Sequence, residues 1–245
     1  MDKLKPKAVI FDLGSTLIEY ESVPWPQLSV YAAASVRSFL DRQGFPVPPE
    51  EDFARIFEDI KNEFREVAMR DLTEWSIPQA VEKLLVALNI DARDGLVEKI
   101  FDAYYKPVGE RLYAYDDARE MLARIQEKVA VIGLVSNTIF PEQAHRKELK
   151  RFGLDEYFDF AIFSSTFGLR KPHPDIFYKA ANLAGYAAAE CVYIGDRFVE
   201  DFRGPTDMGM HAILKILPSR EYPADMPHDI PRISCLSELD KYLDI

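Results

Sequence analysis

Cysteine is scarce in this chain of 245 residues, where Cys191 and Cys235 are the only two. Two cysteines cannot form a disulfide scaffold, and we expect both to be buried thiols in a reducing compartment. Long apolar runs are also missing. The run 129–135 is far shorter than the roughly 20 residues that cross a bilayer, and the apolar stretch near the N-terminus stops at Asp12, too early for a signal peptide. We therefore predict a soluble, cytoplasmic protein with no membrane partner.

Positive charge is in deficit, since 30 Lys and Arg against 41 Asp and Glu leave a formal net charge of −11. An acidic surface repels a phosphate backbone, so we expect no nucleic-acid partner. Hydrophobic residues make up 48% of the chain and charged residues 29%, which are ordinary globular values. This composition excludes a disordered or collagen-like chain. The length suits one large domain or a core with an insertion.

Strands and helices alternate in the second half of the chain. Apolar runs typical of buried strands occupy 129–135, 160–163, 191–194 and 211–214. Segments with helical periodicity lie between and after them, at 142–151, 174–185 and 199–208. This alternation predicts right-handed crossovers and a parallel sheet. The run 7–13 predicts one more buried strand, and a Pro-rich loop (218–231) precedes a short helix (236–243).

Residues 20–110 show helical periodicity without a convincing strand. Their apolar side chains recur at helical spacing in four segments, near 28–40, 53–67, 76–88 and 96–104. Ser76 and Gln79 have the spacing of a capping box at the start of the third segment. We therefore predict an α/β core made of residues 1–19 and 111–245, with an all-helical domain of residues 20–110 inserted between the two pieces.

Polar side chains follow the ends of the predicted strands. They are Asp12 after the first strand, Ser136 and Asn137 after the second, Lys171 after the third, and Asp196 and Asp201 after the fourth. Ligands of open α/β sheets bind at the carboxyl ends of the strands. We therefore expect these side chains to meet at one edge of the sheet.

This set of residues favours chemistry on an anionic group. Asp12 and Asp196 could share one Mg²⁺, a hard cation that prefers oxygen ligands, with Asp201 as a further ligand or a support. The metal and Lys171 would neutralise a phosphate, and Ser136 would donate a hydrogen bond to it. A carboxylate could also act as nucleophile and form an aspartyl-phosphate that water hydrolyses. The predicted partner is a small anionic metabolite.

Four segments carry a resemblance to a known family. They are Val-Ile-Phe-Asp12-Leu-Gly-Ser-Thr-Leu, Leu-Val-Ser136-Asn, Arg-Lys171-Pro-His-Pro-Asp-Ile-Phe and Tyr-Ile-Gly-Asp196-Arg-Phe-Val-Glu-Asp201. In this order they resemble the four motifs of the haloacid dehalogenase superfamily. The resemblance covers essentially the whole core. It implies a Rossmann-like sheet, a mobile helical cap of the C1 type and, for most members, Mg²⁺-dependent phosphatase activity.

The resemblance also implies a role for each motif residue. Asp12 would be the nucleophile, and Lys171 would hold both the nucleophile and the phosphate. The residues that bind the transferring group would be Thr16, Ser136 and Asn137. The metal ligands would be Asp12, Gly14 through its backbone carbonyl, Asp196 and Asp201.

One position departs from the family pattern. Phosphatases of this family carry a second Asp two residues after the nucleophile as general acid and base, and this chain has Gly14 there. The metal contact at that position uses a backbone carbonyl, so only proton transfer is lost, which is typically worth about 10²–10⁴-fold in rate. We expect a slower enzyme, a leaving group that needs little protonation, or a replacement acid such as Glu19 or Glu21.

Three alternatives to a phosphatase stay open. A metal-independent 2-haloacid dehalogenase would also lack the second Asp, although the pair Asp196 and Asp201 favours a metal site. A phosphonate hydrolase would need a cap lysine for a Schiff base, and we interpret Lys61 and Lys83 as residues on the polar faces of helices. A non-catalytic protein that binds phosphate is the third alternative, because Gly14 supplies no acid.

Substrate specificity is expected from the helical insertion. Trp25, which stands between two prolines, is a candidate for lining the pocket, whereas Phe53 and Phe57 are predicted to belong to the core of the insertion. Arg170 could add positive potential beside the site. We interpret His145 as a surface residue.

Overall fold

The computed structural model describes residues 3–93 and 95–245. Their strands are β1 (Ala8–Phe11), β2 (Ile18–Glu19), β3 (Tyr113–Ala114), β4 (Val131–Ser136), β5 (Phe160–Phe163), β6 (Cys191–Gly195), β7 (His211–Lys215) and β8 (Arg232–Ile233). Six of these strands form one parallel sheet in the order β5-β4-β1-β6-β7-β8. The predicted α/β fold with a Rossmann-like parallel sheet is confirmed.

The first strand lies at the centre of this sheet. Phe11 pairs with Leu134 of β4 on one side and with Ile194 of β6 on the other. All four residues of β1 are buried, because helices cover both faces of a parallel sheet, and this explains the uninterrupted apolar run. The chain moves outward from β1 to β4 and β5 and then returns to the other side with β6. A crevice for a ligand opens where the strand order reverses in this way.

The longer helices agree with the predicted segments to within a few residues, except for the helix Ala118–Gln126, which we did not predict. The α-helices are α1 (Trp25–Arg42), α2 (Glu50–Asp71), α3 (Ile77–Ala87), α4 (Leu96–Gly109), α5 (Ala118–Gln126), α6 (Glu142–Phe152), α7 (Ser164–Phe167), α8 (Pro174–Ala184) and α9 (Gly204–Asp207). Among the described residues, no helix is long and apolar enough to cross a membrane.

Helices α1 to α4 follow one another between β2 and β3, and we call them the four-helix segment. Neighbouring helices of the segment pack together, and α4 also packs on α1. Their shared core contains the fully buried side chains of Phe57, Leu84 and Ile100. The Gln79 side chain accepts a hydrogen bond from the backbone N–H of Ser76 at 2.8 Å, which confirms the predicted start of α3.

Several local features differ from the sequence-based expectations. The predicted helix 199–208 is a π-helical turn, Phe198–Arg203, followed by the short α9, and the predicted helix near the C-terminus is a 3₁₀ helix, Leu236–Lys241. The strands β2 and β3 form a short antiparallel pair that we did not predict, because two residues are too few to show periodicity. Cys191 is buried as expected, but Cys235 is partly exposed, so that part of the cysteine prediction was wrong.

Candidate active site

Asp12 stands at the centre of the carboxyl edge of the sheet, directly after β1. Its backbone N–H donates to the carbonyl of Ile194 at 2.8 Å, so the residue continues the pairing with β6. The Asp12 Oδ2 atom accepts a hydrogen bond from the Thr16 hydroxyl at 3.3 Å. The turn between them is tight, and Ser15 has a φ of 58°. The role of Thr16 in binding the transferring group, which the family resemblance implies, stays a prediction.

A buried lysine from β7 supports the same turn. The Lys215 Nζ atom donates to the carbonyls of Ser15 and Thr16, both at 3.0 Å, and lies over the ring of Tyr115. Burial lowers the pKa of Lys215 to about 8. Sequence analysis missed this residue, which lies 199 positions from Thr16 along the chain.

Lys171 joins the two sides of the candidate site. Its Nζ atom donates to Asp12 Oδ1 at 2.7 Å and to Asp201 Oδ1 at 2.6 Å. The Val135 carbonyl at 3.0 Å and the Tyr193 hydroxyl at 2.8 Å are two further acceptors, so one of the three N–H groups is shared. Burial lowers the pKa of Lys171, but the carboxylates of Asp12 and Asp201 more than offset it, and the pKa stands well above its usual value. This lysine is therefore charged at neutral pH.

Asn137 fixes the backbone that carries this lysine. Its Nδ2 atom donates to the Lys171 carbonyl at 2.9 Å, and its Oδ1 atom accepts from the Lys171 N–H at 2.7 Å. These are the contacts of a residue that positions Lys171. The role of Asn137 as a phosphate ligand stays a prediction. Ser136, at the end of β4, is buried and lines the same cavity as Asp12.

Asp201 is fully buried, and both of its carboxylate oxygens have protein partners. Oδ1 accepts from Lys171, and Oδ2 accepts from the backbone N–H groups of Asp196 at 3.1 Å and Arg197 at 2.9 Å. Gly195 permits this approach, because a Cβ there would lie 2.5 Å from the Asp201 Cβ. The contacts of Asp201 are those of a support for the site.

The carboxylate of Asp196, unlike that of Asp201, is not held by hydrogen bonds from the described residues. It is fully buried, and within the described ranges neither of its carboxylate oxygens has a hydrogen-bond partner. The Arg220 Nε atom lies 2.7 Å from Oδ2, close enough for an ion pair but without the alignment of a hydrogen bond. Burial, together with the nearby charges of Asp12 and Asp201, raises the pKa of Asp196 to about 8.

These three carboxylates fit a cation. One oxygen of each of Asp12, Asp196 and Asp201 lies within 4.8 Å of the others. Burial raises the pKa of Asp12 to about 6 although Lys171 lowers it. The unpartnered Asp196 Oδ1, buried beside a second carboxylate, is an oxygen ligand of the kind that Mg²⁺ prefers. Gly14, whose carbonyl is the remaining predicted ligand, lines the same cavity.

A cavity of about 850 Å³ opens between the strand ends and the four-helix segment. Its floor includes Asp12, Gly14, Ser136 and Lys171. Trp25 and Arg170 line it, as proposed from the sequence, and Arg170 pairs with Glu74 at 3.6 Å. The cavity gives a substrate direct access to the predicted nucleophile.

The two candidate replacement acids are already engaged. Glu19 accepts hydrogen bonds from the Tyr115 hydroxyl and from the backbone of Glu21. Glu21 lines the cavity but pairs with Arg197 at 3.1 Å and with Arg220 at 3.2 Å. Both carboxylates are therefore held by other groups of the protein and are not free to replace the missing general acid.

Lys61 was predicted to lie on a polar helix face, and this was wrong. The residue is only 1% exposed and lines the cavity. The polar sequence of α2 gave no sign of this burial. The adjacent helix α1 covers Lys61, and the Ser29 hydroxyl of α1 accepts a hydrogen bond from the lysine. Lys83, the other candidate, is exposed, as expected.

The interpretation of His145 as a surface residue was also wrong, since it is 2% exposed. It belongs to a buried polar network: Nε2 contacts the Thr138 hydroxyl at 2.6 Å, and Nδ1 contacts Glu148 at 2.7 Å and the Tyr20 hydroxyl at 3.2 Å. Burial lowers the pKa of His145 to about 3 and raises that of Glu148 to about 8. The spacing of Ala144, His145, Glu148 and Leu149 on one face of α6 was the available signal.

Comparison with known proteins agrees with this geometry. The family model described as haloacid dehalogenase-like hydrolase matches residues 6–209. The glyceraldehyde 3-phosphate phosphatase of Pyrococcus abyssi is 27% identical over 207 residues, covering 84% of this chain and 80% of the relative. The phosphoglycolate phosphatase of Xanthomonas campestris is 28% identical and covers 78% and 75%. The crystal structure of the 2-haloacid dehalogenase from Pseudomonas syringae pv. Tomato shares the fold, with a TM-score of 0.69, 23% identity and 97% coverage of both chains.

Proposed function

This chain belongs to the haloacid dehalogenase-like hydrolases, and from that premise we propose that it is a Mg²⁺-dependent phosphatase. Its substrate would be a phosphate monoester of a small metabolite. The observation that carries the proposal is the position of Asp12, held by Lys171 at 2.7 Å beside the buried carboxylate of Asp196, whose Oδ1 atom has no hydrogen-bond partner among the described residues. The phosphatase names of the two sequence relatives support the same reaction.

The proposed reaction has two steps on Asp12. Because Lys171 holds Oδ1, Oδ2 is the oxygen with the weaker contact and is free to attack phosphorus. The phosphorus–oxygen bond to the leaving group breaks, the leaving oxygen takes a proton from water, and an aspartyl-phosphate forms. A water molecule then attacks the phosphorus and gives its proton to the solvent, the bond to Asp12 breaks, and phosphate and a free carboxylate result.

The residues around Asp12 would stabilise the charge that develops on the phosphate. Lys171 supplies a fixed positive charge, and Ser136 supplies a hydroxyl at the cavity floor. Bound Mg²⁺ would be held by Asp12, Asp196 and the Gly14 carbonyl and would add positive charge beside the phosphate oxygens. Asp201 keeps Lys171 and the turn at Asp196 in place.

We further propose that the four-helix segment acts as a cap, so that residues 20–110 form a domain inserted in a core of residues 1–19 and 111–245. The cavity between the segment and the strand ends supports this division, since a cap over such a site excludes water and contacts the substrate. The short pair of β2 and β3 holds the two connections side by side, with Ile18 opposite Ala114.

Phosphate release from a panel of phosphorylated metabolites, with Mg²⁺ and with EDTA, tests this function. The wild type should turn over only with Mg²⁺, and Asp12→Asn should abolish turnover because the nucleophile is gone. Asp229→Asn, at an exposed position, is the matched control. Halide release from 2-haloacids without metal would instead identify a dehalogenase. Binding without any turnover would identify a phosphate-binding protein.

A second candidate function is favoured by the burial of Lys61 in the cavity. Burial lowers the pKa of Lys61, although the neighbouring Glu58 carboxylate partly offsets this effect. The amine could condense with the aldehyde of a phosphonate to give an imine and water. The phosphorus–carbon bond would then break as Asp12 takes the phosphoryl group, leaving the electron pair in an enamine. Reduction with borohydride should fix the substrate on Lys61 if this reaction occurs, and an unmodified lysine would contradict it.

A further inference from the structure

The upper part of the active-site cavity is apolar and much larger than a phosphate needs. Its walls, formed by the four-helix segment and the loop after β4, include Trp25, Val30, Ala33, Met69, Trp75 and Phe140. The two tryptophans are held by aromatic neighbours: Trp75 stacks on Phe64 at 5.5 Å, and Trp25 lies 6.1 Å from the ring of Phe140. A cavity of about 850 Å³ with such walls suits an organic group of drug-like size.

Polar groups interrupt these apolar walls at the ion pair of Arg170 and Glu74 and, between α1 and α2, at a cluster around Lys61. The Lys61 ammonium lies 2.6 Å from Glu58 Oε2 and donates to the Ser29 hydroxyl. The Ser29 hydroxyl in turn donates to Glu58 Oε2 at 2.8 Å. All three residues line the cavity. The rings of Phe57 and Tyr104 lie 5.1 and 5.8 Å from the ammonium, and an aromatic face accepts an N–H group more weakly than an oxygen does.

The donor count leaves one N–H of Lys61 without an oxygen acceptor among the described residues. A lysine ammonium has three N–H groups, and within the described parts of the chain Lys61 has two polar partners, Ser29 and Glu58. A buried donor without an acceptor costs free energy, so the third N–H favours a ligand that brings an acceptor into the cavity.

The charge of the cluster decides which acceptor fits. Lys61 is already neutralised by Glu58, and Arg65 lies 3.5 Å from the other oxygen of that carboxylate. Because Arg65 is half exposed and its charge is screened by water, a second anion on the ligand would be desolvated next to the Glu58 carboxylate, which repels it. A hydroxyl or a carbonyl oxygen accepts the same N–H without that cost.

We propose that the substrate is a phosphate monoester with an apolar, aromatic-sized body and an uncharged hydroxyl or carbonyl at the end distant from the phosphate, bound by Lys61 and Ser29. This inference rests on the proposed phosphatase function and names its substrate class. The proposed substrate is larger than the two-carbon and three-carbon phosphates for which the sequence relatives are named. Such small substrates would leave most of this cavity unfilled. In this arrangement Lys61 contributes to substrate specificity and does not touch the reacting atoms.

Binding to the Asp12→Asn variant tests the proposal without turnover. Trp25 and Trp75 are the only tryptophans of the sequence and both line the cavity, so intrinsic fluorescence reports its occupation. The probes are 4-(hydroxymethyl)phenyl phosphate, 4-methylphenyl phosphate and 4-carboxyphenyl phosphate, with glycerol phosphate as the small comparison. The hydroxymethyl probe should bind about tenfold more tightly than the methyl and carboxyl probes, and glycerol phosphate should bind most weakly.

Two further substitutions in the same background assign the effect to the cluster. Lys61→Met should bring the hydroxymethyl and methyl probes to equal affinity, and Ser29→Ala, a smaller change, should reduce their difference. Lys83→Met is the matched control, because Lys83 is exposed and outside the cavity. Circular dichroism of each variant checks that it is folded.

Equal affinities for the hydroxymethyl and methyl probes, or tighter binding of the carboxyl probe, would overturn the proposed substrate class. Phosphate release by the wild type from the same probes is measured separately. A selective binder that releases no phosphate would refute the phosphatase function, whereas an unselective binder that releases phosphate would refute only the substrate class.

Discussion

The ring of Tyr20 lies beside Gly14, on the side where a longer residue would project. A Cβ on residue 14 would stand 3.5 Å from the Tyr20 Cδ2 atom, which is an ordinary van der Waals distance. The Tyr20 hydroxyl is bound to Glu148 and His145 and is therefore engaged elsewhere. Position 14 can therefore hold an aspartate in place of glycine without a severe clash.

Gly14→Asp should raise phosphatase activity, because it returns a general acid to the position next to the leaving group. We expect a gain of about 10²-fold toward alkyl phosphates, whose leaving groups need a proton, and little gain toward acyl phosphates. The measurement is kcat for both substrate types with Mg²⁺. Gly14→Asn has the same shape but no acid and should give no gain. An Asp variant that is folded and no faster would contradict the idea that only the acid is missing.

Lys171→Met should abolish turnover and also destabilise the fold. The substitution leaves Asp12 and Asp201 as buried charges without their partner, which costs about 3–5 kcal/mol. Urea unfolding without metal at pH 7 measures the loss. This loss of stability should be smaller at lower pH, because protonation removes the uncompensated charges. Lys150→Met on the exposed side of α6 is the control, and equal stability of the two variants would contradict this role of Lys171.

Glu148 should make the fold less stable as the pH rises. Burial raises its pKa to about 8, above the value of 4.5 for the unfolded chain, so the folded state holds the proton more tightly. Its contribution is fully present below pH 4.5 and is lost as the pH rises through about 8. Between pH 5.5 and pH 8.5 the Glu148→Gln variant should therefore lose less stability than the wild type, and the difference should be on the order of 3 kcal/mol.

Urea unfolding of metal-free protein at both pH values checks this difference. Asp12 and Asp196 also have raised pKa values, but they are present in both proteins and drop out of the comparison. Glu82→Gln, at an exposed position of α3, should behave as the wild type. Parallel pH curves for the wild type and Glu148→Gln would show that Glu148 is ionised throughout this range.

Mg²⁺ should raise the melting temperature of the wild type, because a ligand that binds only the folded state stabilises it. EDTA should reverse this shift. Asp196→Asn should remove it, since the substitution takes a buried carboxylate away from the proposed metal site. The same variant should be more stable than the wild type without metal, because a buried repulsion is relieved. An undiminished Mg²⁺ shift in Asp196→Asn, with the exposed Asp225→Asn as control, would place the metal elsewhere.

The sequence by itself determined which segments form β1, β4, β5, β6 and β7 and which residues stand at the ends of these strands. Buried strands of a parallel sheet are short continuous apolar runs, so β1, β4, β5, β6 and β7 could be recognised locally. Asp12, Ser136 and Asp196 follow the ends of those runs directly. The carboxyl ends of parallel strands share one edge, and this rule alone predicted that they meet.

Only the tertiary structure decided which polar side chains are buried and what they contact. Lys61 and His145 lie on helices with many charged residues, and each is buried because another element covers it. The partners are far apart along the chain: 128 positions separate Tyr20 from Glu148, and 159 separate Lys171 from Asp12. Periodicity reports the environment of a segment over a few turns, whereas these contacts depend on how distant segments pack together.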